Sequence, residues 1–356
     1  MKVSAIPSFS FKAKIIDAHT HVGSHNNRIY TKQNLDLFIK SELPSNDVVE
    51  KMLVTSLDVI HQSVPEYEGN IKLLEEFNND PHYNIFAACS PVNGSVENIK
   101  RLYKDHPNKF IGLKFHPSVQ NLPADNVRYN EYLNFANKNK IPCLFHCEVN
   151  LDKCGNRISD LLNNSDPERI YTIAKRYKDT PIVMAHLGAG WRDSHEKTLE
   201  ILLKSIECND ANLYADISWV DIDHEKTHIV SAIKKLKGIG DPNWKYGDQS
   251  YRLMFGTDAP IDRFSQSDAI NSYSKYIEEI KTAIKNDTEL KNEAETIIDD
   301  LFFNNAKRLY LNKKHPPKTT YNKKFGVLVI VGGIVLSSLV LLTKNCLLKK
   351  ILPECF

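Results

Sequence analysis

The sequence lacks the features that mark several common protein classes. Its seven cysteines include no Cys-x-x-Cys pair and show no spacing typical of a disulfide framework, which argues against a zinc ribbon, a redox motif and a disulfide-stabilised secreted domain. Lys and Arg number 46 and Asp and Glu number 44, so the overall charge gives no attraction to nucleic acid. Residues 1–14 contain no uninterrupted apolar stretch of the kind found in secretory signals. These absences favour a protein of the reducing cytosol without a nucleic-acid partner.

The end of the chain differs from the rest in charge and hydropathy. Residues 313–356 hold eight lysines and one acid, for a net charge of +7, whereas residues 1–312 carry 38 bases and 43 acids, for a net charge of −5. Between Lys324 and Lys344 lie nineteen uncharged residues, 325–343. As a helix they span about 28 Å, close to the hydrocarbon thickness of a bilayer. We therefore expect one C-terminal transmembrane helix that anchors the protein in a lipid bilayer.

The basic residues around this segment predict its orientation. Seven lysines or arginines lie in the eighteen positions before it and three lysines follow it. By the positive-inside rule, the 1–312 body faces the cytoplasm, 313–324 form a polar linker and 344–356 form a short basic tail on the far side. Gly333 and Ser337 have the small-xxx-small spacing that lets two such helices pack as a homodimer.

The body alternates eight short apolar runs with longer amphipathic stretches. The runs start roughly 27 to 40 residues apart, which is the length that a strand–helix–return unit needs. No glycine-rich phosphate turn follows the first run, which disfavours a dinucleotide-binding sheet. The pattern predicts an α/β fold, a (β/α)₈ TIM barrel, whose catalytic groups lie at the carboxyl ends of the strands. The predicted strands are Lys14–His21, Lys51–Leu57, Tyr83–Ser90, Phe110–His116, Ile141–Glu148, Pro181–Leu187, Asn212–Ile217 and Tyr251–Asp258.

Four of these predicted strands end in residues that bind metals. In the first, strict alternation would place Asp17, His19 and His21 on one face, directed into the barrel mouth. The fifth, sixth and eighth strands end with His146, His186 and Asp258. A lone histidine at such a position is more often structural, but four strand ends that deliver these groups to one rim predict a metal site. Imidazole nitrogen and carboxylate oxygen suit Zn²⁺, Mn²⁺ or Fe²⁺.

Segments at five predicted strand ends carry a wider resemblance. They are Asp17–Gly23, Gly112–Pro117, Leu144–His146, Ala185–Gly188 and Phe255–Pro260. In this order they resemble the amidohydrolase superfamily, and more narrowly its amidohydrolase-related branch of metal-dependent barrel hydrolases and decarboxylases, which includes aminocarboxymuconate-semialdehyde decarboxylase. The resemblance implies one divalent metal, expected to be zinc with manganese or iron as alternatives, bound by His19, His21, His146 and Asp258. It also implies that His186 acts beside the metal as an acid/base or electrostatic catalyst.

Four further residues are candidates for substrate binding. Lys114 and His116 lie two apart on the predicted fourth strand, so both should point into the barrel. We expect Lys114 to bind a substrate carboxylate; its carbamylation, with a bridged second metal, is the alternative. Glu148 shares the face of His146, and Arg192 follows the sixth strand, where it would hold an anionic group.

These residues predict a metal-dependent hydrolase that cleaves an amide, lactone or ester bond of a small carboxylate-bearing molecule. Asp258 would accept a proton from the metal-activated water and pass it to the leaving group. A non-oxidative decarboxylase would use the same groups and is the alternative. An inactive, membrane-tethered scaffold barrel is a third interpretation, against which the complete set of metal-binding side chains argues.

Overall fold

Eight parallel strands and one antiparallel strand form the sheet of this computed structural model. It describes residues 12–43, 46–149, 163–189, 193–261, 264 and 268–312. The strands are β1 (Lys14–His25), β2 (Arg28–Tyr30), β3 (Val48–Ser56), β4 (Tyr83–Ala88), β5 (Phe110–Phe115), β6 (Cys143–Phe145), β7 (Ile182–Met184), β8 (Leu213–Asp216) and β9 (Leu253–Met254). Their order in the sheet is β2-β1-β3-β4-β5-β6-β7-β8-β9, and all pairs except β1–β2 are parallel.

Backbone hydrogen bonds also join the two ends of the parallel sheet. The N–H of Ala18 donates to the carbonyl oxygen of Phe255 at 3.1 Å, and the N–H of Asp258 donates to the carbonyl oxygen of His19 at 2.8 Å. The segment after β9 therefore lies beside β1, as it does in a closed barrel. This arrangement is consistent with the predicted (β/α)₈ barrel.

Helices follow the strands and cover the outside of the sheet. Some begin at residues that cap a helix: Ser95 accepts a hydrogen bond from the Glu97 N–H, and Asp166 accepts one from the Glu168 N–H, with Pro167 in the first helical position. The helices are α1 (Lys32–Lys40), α2 (Leu57–Ile60), α3 (Glu66–Phe77), α4 (Val96–Asp105), α5 (Asn130–Asn139), α6 (Pro167–Arg176), α7 (Asp193–Cys208), α8 (Ile222–Lys237), α9 (Ala269–Asn286) and α10 (Ala294–Asp299). None in the described ranges has the length and apolarity to cross a bilayer. The predicted linker, anchor and tail, 313–356, lie outside those ranges.

Alternate strand residues fill the interior of the barrel, and the last part of the described chain forms its floor. The interior cluster takes Ile16, Leu53, Leu144, Val183 and Met254 from five strands. The amino ends of the strands are covered by Ala306, Leu309 and Tyr310, which pack against this cluster. The Tyr310 ring meets the Phe86 ring edge-on, with 5.2 Å between the ring centroids. The amino ends of the strands are thus closed by the segment that ends at Asn312, so the site can open only at the carboxyl ends.

Asp17 does not lie on the predicted face of β1. Its neighbours Ile16 and Ala18 pack in the barrel interior, whereas Asp17 points outward. Its Oδ2 accepts hydrogen bonds from the Thr257 hydroxyl at 2.6 Å and from the Tyr273 hydroxyl of α9 at 3.0 Å. Burial raises the pKa of Asp17 to about 7 against the effect of these bonds. The prediction that Asp17 shares a face with the two histidines is therefore wrong.

An irregularity in strand pairing explains the change of face. The register between β1 and β3 shifts between Asp17 and Thr20, so the side-chain alternation is broken there. His19 and His21, which follow the start of this shift, are both buried at the carboxyl end of the barrel. Both predicted histidines therefore lie at the mouth of the barrel, but the strand that carries them is irregular there.

β2 was not predicted. β1 continues past His21 to His25, and a turn at Asn26 and Asn27 returns the chain as β2. Both asparagines have positive φ angles, 48° and 61°. Asn adopts this left-handed backbone more readily than most residues, and a two-residue hairpin needs it.

Candidate metal centre and pocket

A cavity of about 150 Å³ opens at the carboxyl ends of the strands. Its deeply buried wall contains His21, Lys114 and His186, while Val119 and Trp219 at the rim are 38% and 45% exposed. The cavity therefore has a polar, nitrogen-rich inner end and a partly apolar entrance. Its lining residues in the described ranges are His21, His25, Leu57, Ile60, His61, Lys114, His116, Val119, His146, His186, Trp219, Asp258 and Ile261.

Three of the predicted ligands come together at the inner end. One ligand atom from each of His19, His21 and Asp258 lies within 4.8 Å of the others. Oδ1 of Asp258 is 2.8 Å from Nε2 of His21 and 3.4 Å from Nε2 of His19. Asp258 reaches this position through a left-handed backbone with φ of 68°, which is uncommon for a residue with a side chain and is typical of functional sites.

The protonation of these groups suits a metal ion. Burial lowers the pKa of His21 to about 4, so the imidazole is neutral at physiological pH and keeps a lone pair. Burial alone would raise the pKa of Asp258, but His21, His19 and His186 outweigh it and hold that pKa well below its usual range. Two imidazole nitrogens and one carboxylate oxygen are a donor set that binds divalent transition metals. Among the described residues, no hydrogen-bond partner lies at the buried Nδ1 atom of His21, so this nitrogen also has a lone pair or proton to offer a ligand.

Asp216 fixes the orientation of His19. Its Oδ2 lies 3.1 Å from Nδ1 of His19, and the Ser218 hydroxyl lies 2.9 Å from the same nitrogen. Burial opposes ionisation of Asp216, but the neighbouring His19 outweighs it and holds the pKa of the carboxyl well below its usual range. An ionised carboxylate can only accept a hydrogen bond, so His19 carries its proton on Nδ1, which leaves the Nε2 lone pair free for a metal. Sequence reasoning missed Asp216, although it lies near the end of the predicted strand Asn212–Ile217 and the strand-end rule would have found it.

We expect Asp216→Asn to weaken metal binding by roughly 10- to 100-fold, because an amide can present its NH₂ group to Nδ1 and favour the wrong tautomer. Competition with a chromophoric chelator would measure the affinity. Asp210→Asn is the matched control, because this carboxylate accepts a hydrogen bond from the Tyr171 hydroxyl and not from a histidine of the site. It should leave the metal affinity unchanged. Equal affinity of Asp216→Asn and wild type would remove Asp216 from the metal centre.

Lys114 and His116 both line the cavity, as predicted. Nζ of Lys114 lies 2.8 Å from Nε2 of His19, where its ammonium group faces the lone pair that a metal would use. Burial lowers the pKa of Lys114 to about 8, although Asp258 and Asp216 oppose the shift. The ring of His116 stacks on that of His146 with centroids 3.9 Å apart. The ammonium group of Lys114 thus places a positive charge at the inner end of the cavity, which favours the binding of an anionic group there.

His146 lines the cavity but is not part of the three-residue cluster. Its Nδ1 lies 3.0 Å from Nε2 of His186, and its Nε2 lies 3.5 Å from Oε2 of Glu148. His186 is held by its own N–H, which donates to Asp216 at 2.9 Å, and its Nδ1 lies 2.8 Å from the Ser218 hydroxyl. Metal ligation by His146 therefore stays a prediction, and the structure gives these histidines a connected set of hydrogen bonds.

The other predicted substrate contacts differ in outcome. Glu148 lies behind His146, where the Ser118 hydroxyl donates to it, and it is not among the lining residues of the described cavity. Arg192 lies outside the described residues. Trp219 was missed: its ring centroid is 6.1 Å from that of His186 at the cavity rim. A single tryptophan in a loop carries no sequence signal for such a place.

The chain is similar to known proteins in family and in fold. A family model described as amidohydrolase matches residues 16–311. None of the curated proteins matches. Among solved structures, 2,6-dihydroxybenzoate decarboxylase from Rhizobium is 15% identical, with a TM-score of 0.54 over 84% of this chain and 98% of the other. An amidohydrolase from Burkholderia multivorans with bound zinc is 13% identical, with a TM-score of 0.56 over 84% and 99%. 5-carboxyvanillate decarboxylase from Novosphingobium aromaticivorans, complexed with manganese and 4-hydroxy-3-methoxy-5-nitrobenzoic acid, is 10% identical, with a TM-score of 0.52 over 85% and 96%.

Proposed function

The chain belongs to the amidohydrolase family, and from this premise we propose that it is a metal-dependent, non-oxidative decarboxylase of a small aromatic or dienoic carboxylate. Hydrolysis, the leading expectation from the sequence, becomes the second candidate. Two of the three similar structures described above are decarboxylases of substituted benzoates, which favours this order.

The shape and charge of the cavity carry the proposal. Its volume of about 150 Å³ is what a single benzene ring occupies in an apolar protein cavity. Leu57, Ile60 and Ile261 supply apolar walls for such a ring. The Lys114 ammonium lies at the inner end together with the three clustered ligands His19, His21 and Asp258, where a carboxylate on the ring would bind. A one-ring carboxylate therefore matches both parts of the cavity.

Each group has a role in this reaction. His19, His21 and Asp258, with His146 as the predicted fourth ligand, would hold the metal. When bound, the metal supplies positive charge that stabilises negative charge on the substrate. Lys114 binds and orients the carboxylate, and the apolar walls exclude water from the ring. His186 is placed to relay a proton, because its two nitrogens lie within hydrogen-bond distance of His146 and Ser218.

Decarboxylation exchanges one substituent on a carbon atom. The bond between that carbon and the carboxylate carbon breaks, carbon dioxide leaves, and the electron pair stays on the substrate. A proton delivered through His186 then forms the new C–H bond. No oxidant or reductant is needed, which agrees with the non-oxidative assignment.

Hydrolysis remains a second candidate because Asp258 lines the cavity as an ionised carboxylate. An ionised carboxylate beside a metal site can accept a proton from water. The leaving group of an amide, lactone or ester would then receive that proton.

A substrate screen with the full-length, metal-loaded protein separates these candidates. We expect carbon dioxide release from hydroxylated benzoates or dienoic acids, and none from the same molecules without the carboxylate. Hydrolysis of lactones or amides without carbon dioxide release would instead support the second candidate. If a fully metal-loaded protein showed neither activity, the result would favour the scaffold interpretation.

Lys114→Met should raise KM for the carboxylate substrate by roughly 10- to 100-fold, because a charge-assisted hydrogen bond contributes about 1.5–3 kcal/mol. The Met side chain keeps the approximate volume but not the charge. Metal content must be measured in parallel, since Nζ also lies 2.8 Å from His19. Lys175→Met, on the outer helix α6, is the control. An unchanged KM with full metal content would exclude Lys114 from carboxylate binding.

Zinc is the metal that we propose for the site. The amidohydrolase from Burkholderia multivorans binds zinc, whereas the decarboxylase from Novosphingobium aromaticivorans was complexed with manganese. Two imidazoles and one carboxylate accept either ion. Mass spectrometry of the protein purified without added metal would identify the resident ion.

We also propose that residues 325–343 anchor the protein in a membrane with its catalytic domain on the cytoplasmic side. The support is the nineteen-residue uncharged run and the excess of lysine before it. Truncation after Asn312 should move the protein from the membrane pellet to the supernatant while it keeps its metal. A truncated protein that still pelleted with membranes would contradict the anchor.

A further inference from the structure

Two histidines at the mouth of the cavity lie outside the candidate metal centre. His25 is the last residue of β1, in the β1–β2 hairpin, and His61 is the residue that ends α2. Nδ1 of His25 lies 3.1 Å from Nε2 of His61, and the rings stack with centroids 5.2 Å apart. Both side chains line the cavity. Two imidazole nitrogens thus face each other at its entrance.

Their separation matches that of neighbouring ligands on one metal ion. Two nitrogens that each lie about 2.0–2.1 Å from a tetrahedral zinc ion are about 3.3–3.4 Å apart. The observed 3.1 Å needs a shift of only a few tenths of an ångström. The two nitrogens are therefore already nearly as far apart as two ligands of one zinc ion.

The backbone around the pair is fixed. The Ser24 N–H donates to Oδ1 of Asp58 at 2.8 Å, which ties the end of β1 to α2. Gly23 has φ of 113°, and a Cβ at this position would lie 2.9 Å from the backbone nitrogen of Asp58. This contact leaves no room for a side chain and holds the hairpin close to the helix. The site is consequently formed before an ion arrives, so little conformational entropy is lost on binding.

The hydrogen bonds of the pair decide which of its nitrogens carry protons. Nδ2 of Asn26 lies 3.0 Å from Nε2 of His25 and donates to it, so the His25 proton lies on Nδ1, toward Nε2 of His61. A metal ion requires the other tautomer: when the Asn26 amide turns over, its oxygen accepts from Nε2–H of His25, and Nδ1 carries a lone pair. Nε2 of His61 can present its lone pair to the same point. Two neutral imidazoles and water then complete the coordination of a divalent transition metal.

We propose that His25 and His61 form a second, exchangeable site for a divalent transition metal, with zinc as the test ion, at the cavity mouth. With two protein ligands, this site binds zinc more weakly than the inner centre. An ion with its water ligands occupies space at the entrance that the substrate must pass. Excess zinc therefore inhibits turnover; this consequence rests on the proposed function, whereas the binding itself does not.

The binding test is a calorimetric zinc titration of the full-length protein preloaded with one equivalent of zinc. Wild type should show one further, weaker binding event. His61→Gln and His25→Gln should each weaken that event at least about tenfold, because each removes a ligand. His82→Gln changes an exposed histidine whose Nδ1 contacts the Glu50 carbonyl, outside the cavity, and should leave the event unchanged.

Absence of a second event in wild type, or its persistence in both mouth variants, would overturn the site. Thermal melting of the two variants checks that they fold; neither side chain belongs to the buried core. Where a substrate is in hand, zinc inhibition should disappear in His61→Gln but persist in His82→Gln. If no substrate is turned over, the calorimetry still decides, so failure of this site and failure of the proposed function are distinguishable.

Discussion

Asp258→Asn should lower kcat by about 10²- to 10⁴-fold, because it removes an ionised carboxylate from the inner end of the cavity. In the proposed reaction Asp258 would hold the metal together with His21 and His19, whose Nε2 atoms lie 2.8 Å and 3.4 Å from Oδ1 of Asp258. Asparagine keeps the volume and can keep the backbone bond from the Asp258 N–H to the His19 carbonyl. The loss would therefore report charge and ligation and not a change of fold.

Turnover, metal content and thermal melting of this variant should be measured together. Asp248→Asn, at a half-exposed carboxylate that pairs with Lys237, is the matched control and should stay within about twofold of wild type. Wild-type kcat in Asp258→Asn with full metal content would exclude Asp258 from the reaction. Asn at position 258 also accepts φ of 68° better than most residues, so the fold should survive.

His19→Ala combined with His21→Ala should abolish metal binding at the inner centre and with it turnover. Two of the three clustered ligands are lost, and neither backbone oxygens nor Lys114 can replace their lone pairs. Bound metal should fall from about one equivalent to less than about half under conditions that load the wild type. His82→Ala with His106→Ala, which removes two histidines that do not line the described cavity, should keep the metal.

Stability gives a second measure of the same variant. A metal present at about 100 times its Kd stabilises the folded state by about 2.7 kcal/mol. Addition of a chelator should therefore lower the Tm of the wild type and leave that of the double variant unchanged. Full metal content in the double variant, or equal responses to the chelator, would show that the metal binds elsewhere.

The fold was largely predictable because strand periodicity is a local property. All eight predicted strands exist, and Tyr83 and Phe110 begin their strands as expected. The last predicted strand, Tyr251–Asp258, shrinks to Leu253–Met254, since its later residues bond to β1 outside regular strand pairing. The β1–β2 hairpin was missed because its second strand has only three residues, too few for a period.

The site was predictable only where strand ends supply it. Lys114 and His186 line the cavity because each lies within two residues of the end of its strand, and His21 lies one residue before the β1–β3 pairing ends. Asp17 shows the limit of this reasoning. The register shift that follows it separates it from the face of His19 and His21, and its side chain contacts Tyr273 of α9 instead. Which nitrogen contacts which neighbour depends on side-chain packing among distant segments, as between His19 and Asp216, 197 positions apart. Sequence spacing contains no information on such contacts.

The floor of the barrel has a practical consequence. Leu309 and Tyr310 close the amino ends of the strands, and the described chain ends two residues later at Asn312. Shortening the chain into these floor residues would therefore open the barrel at the amino ends of its strands, on the face opposite the cavity.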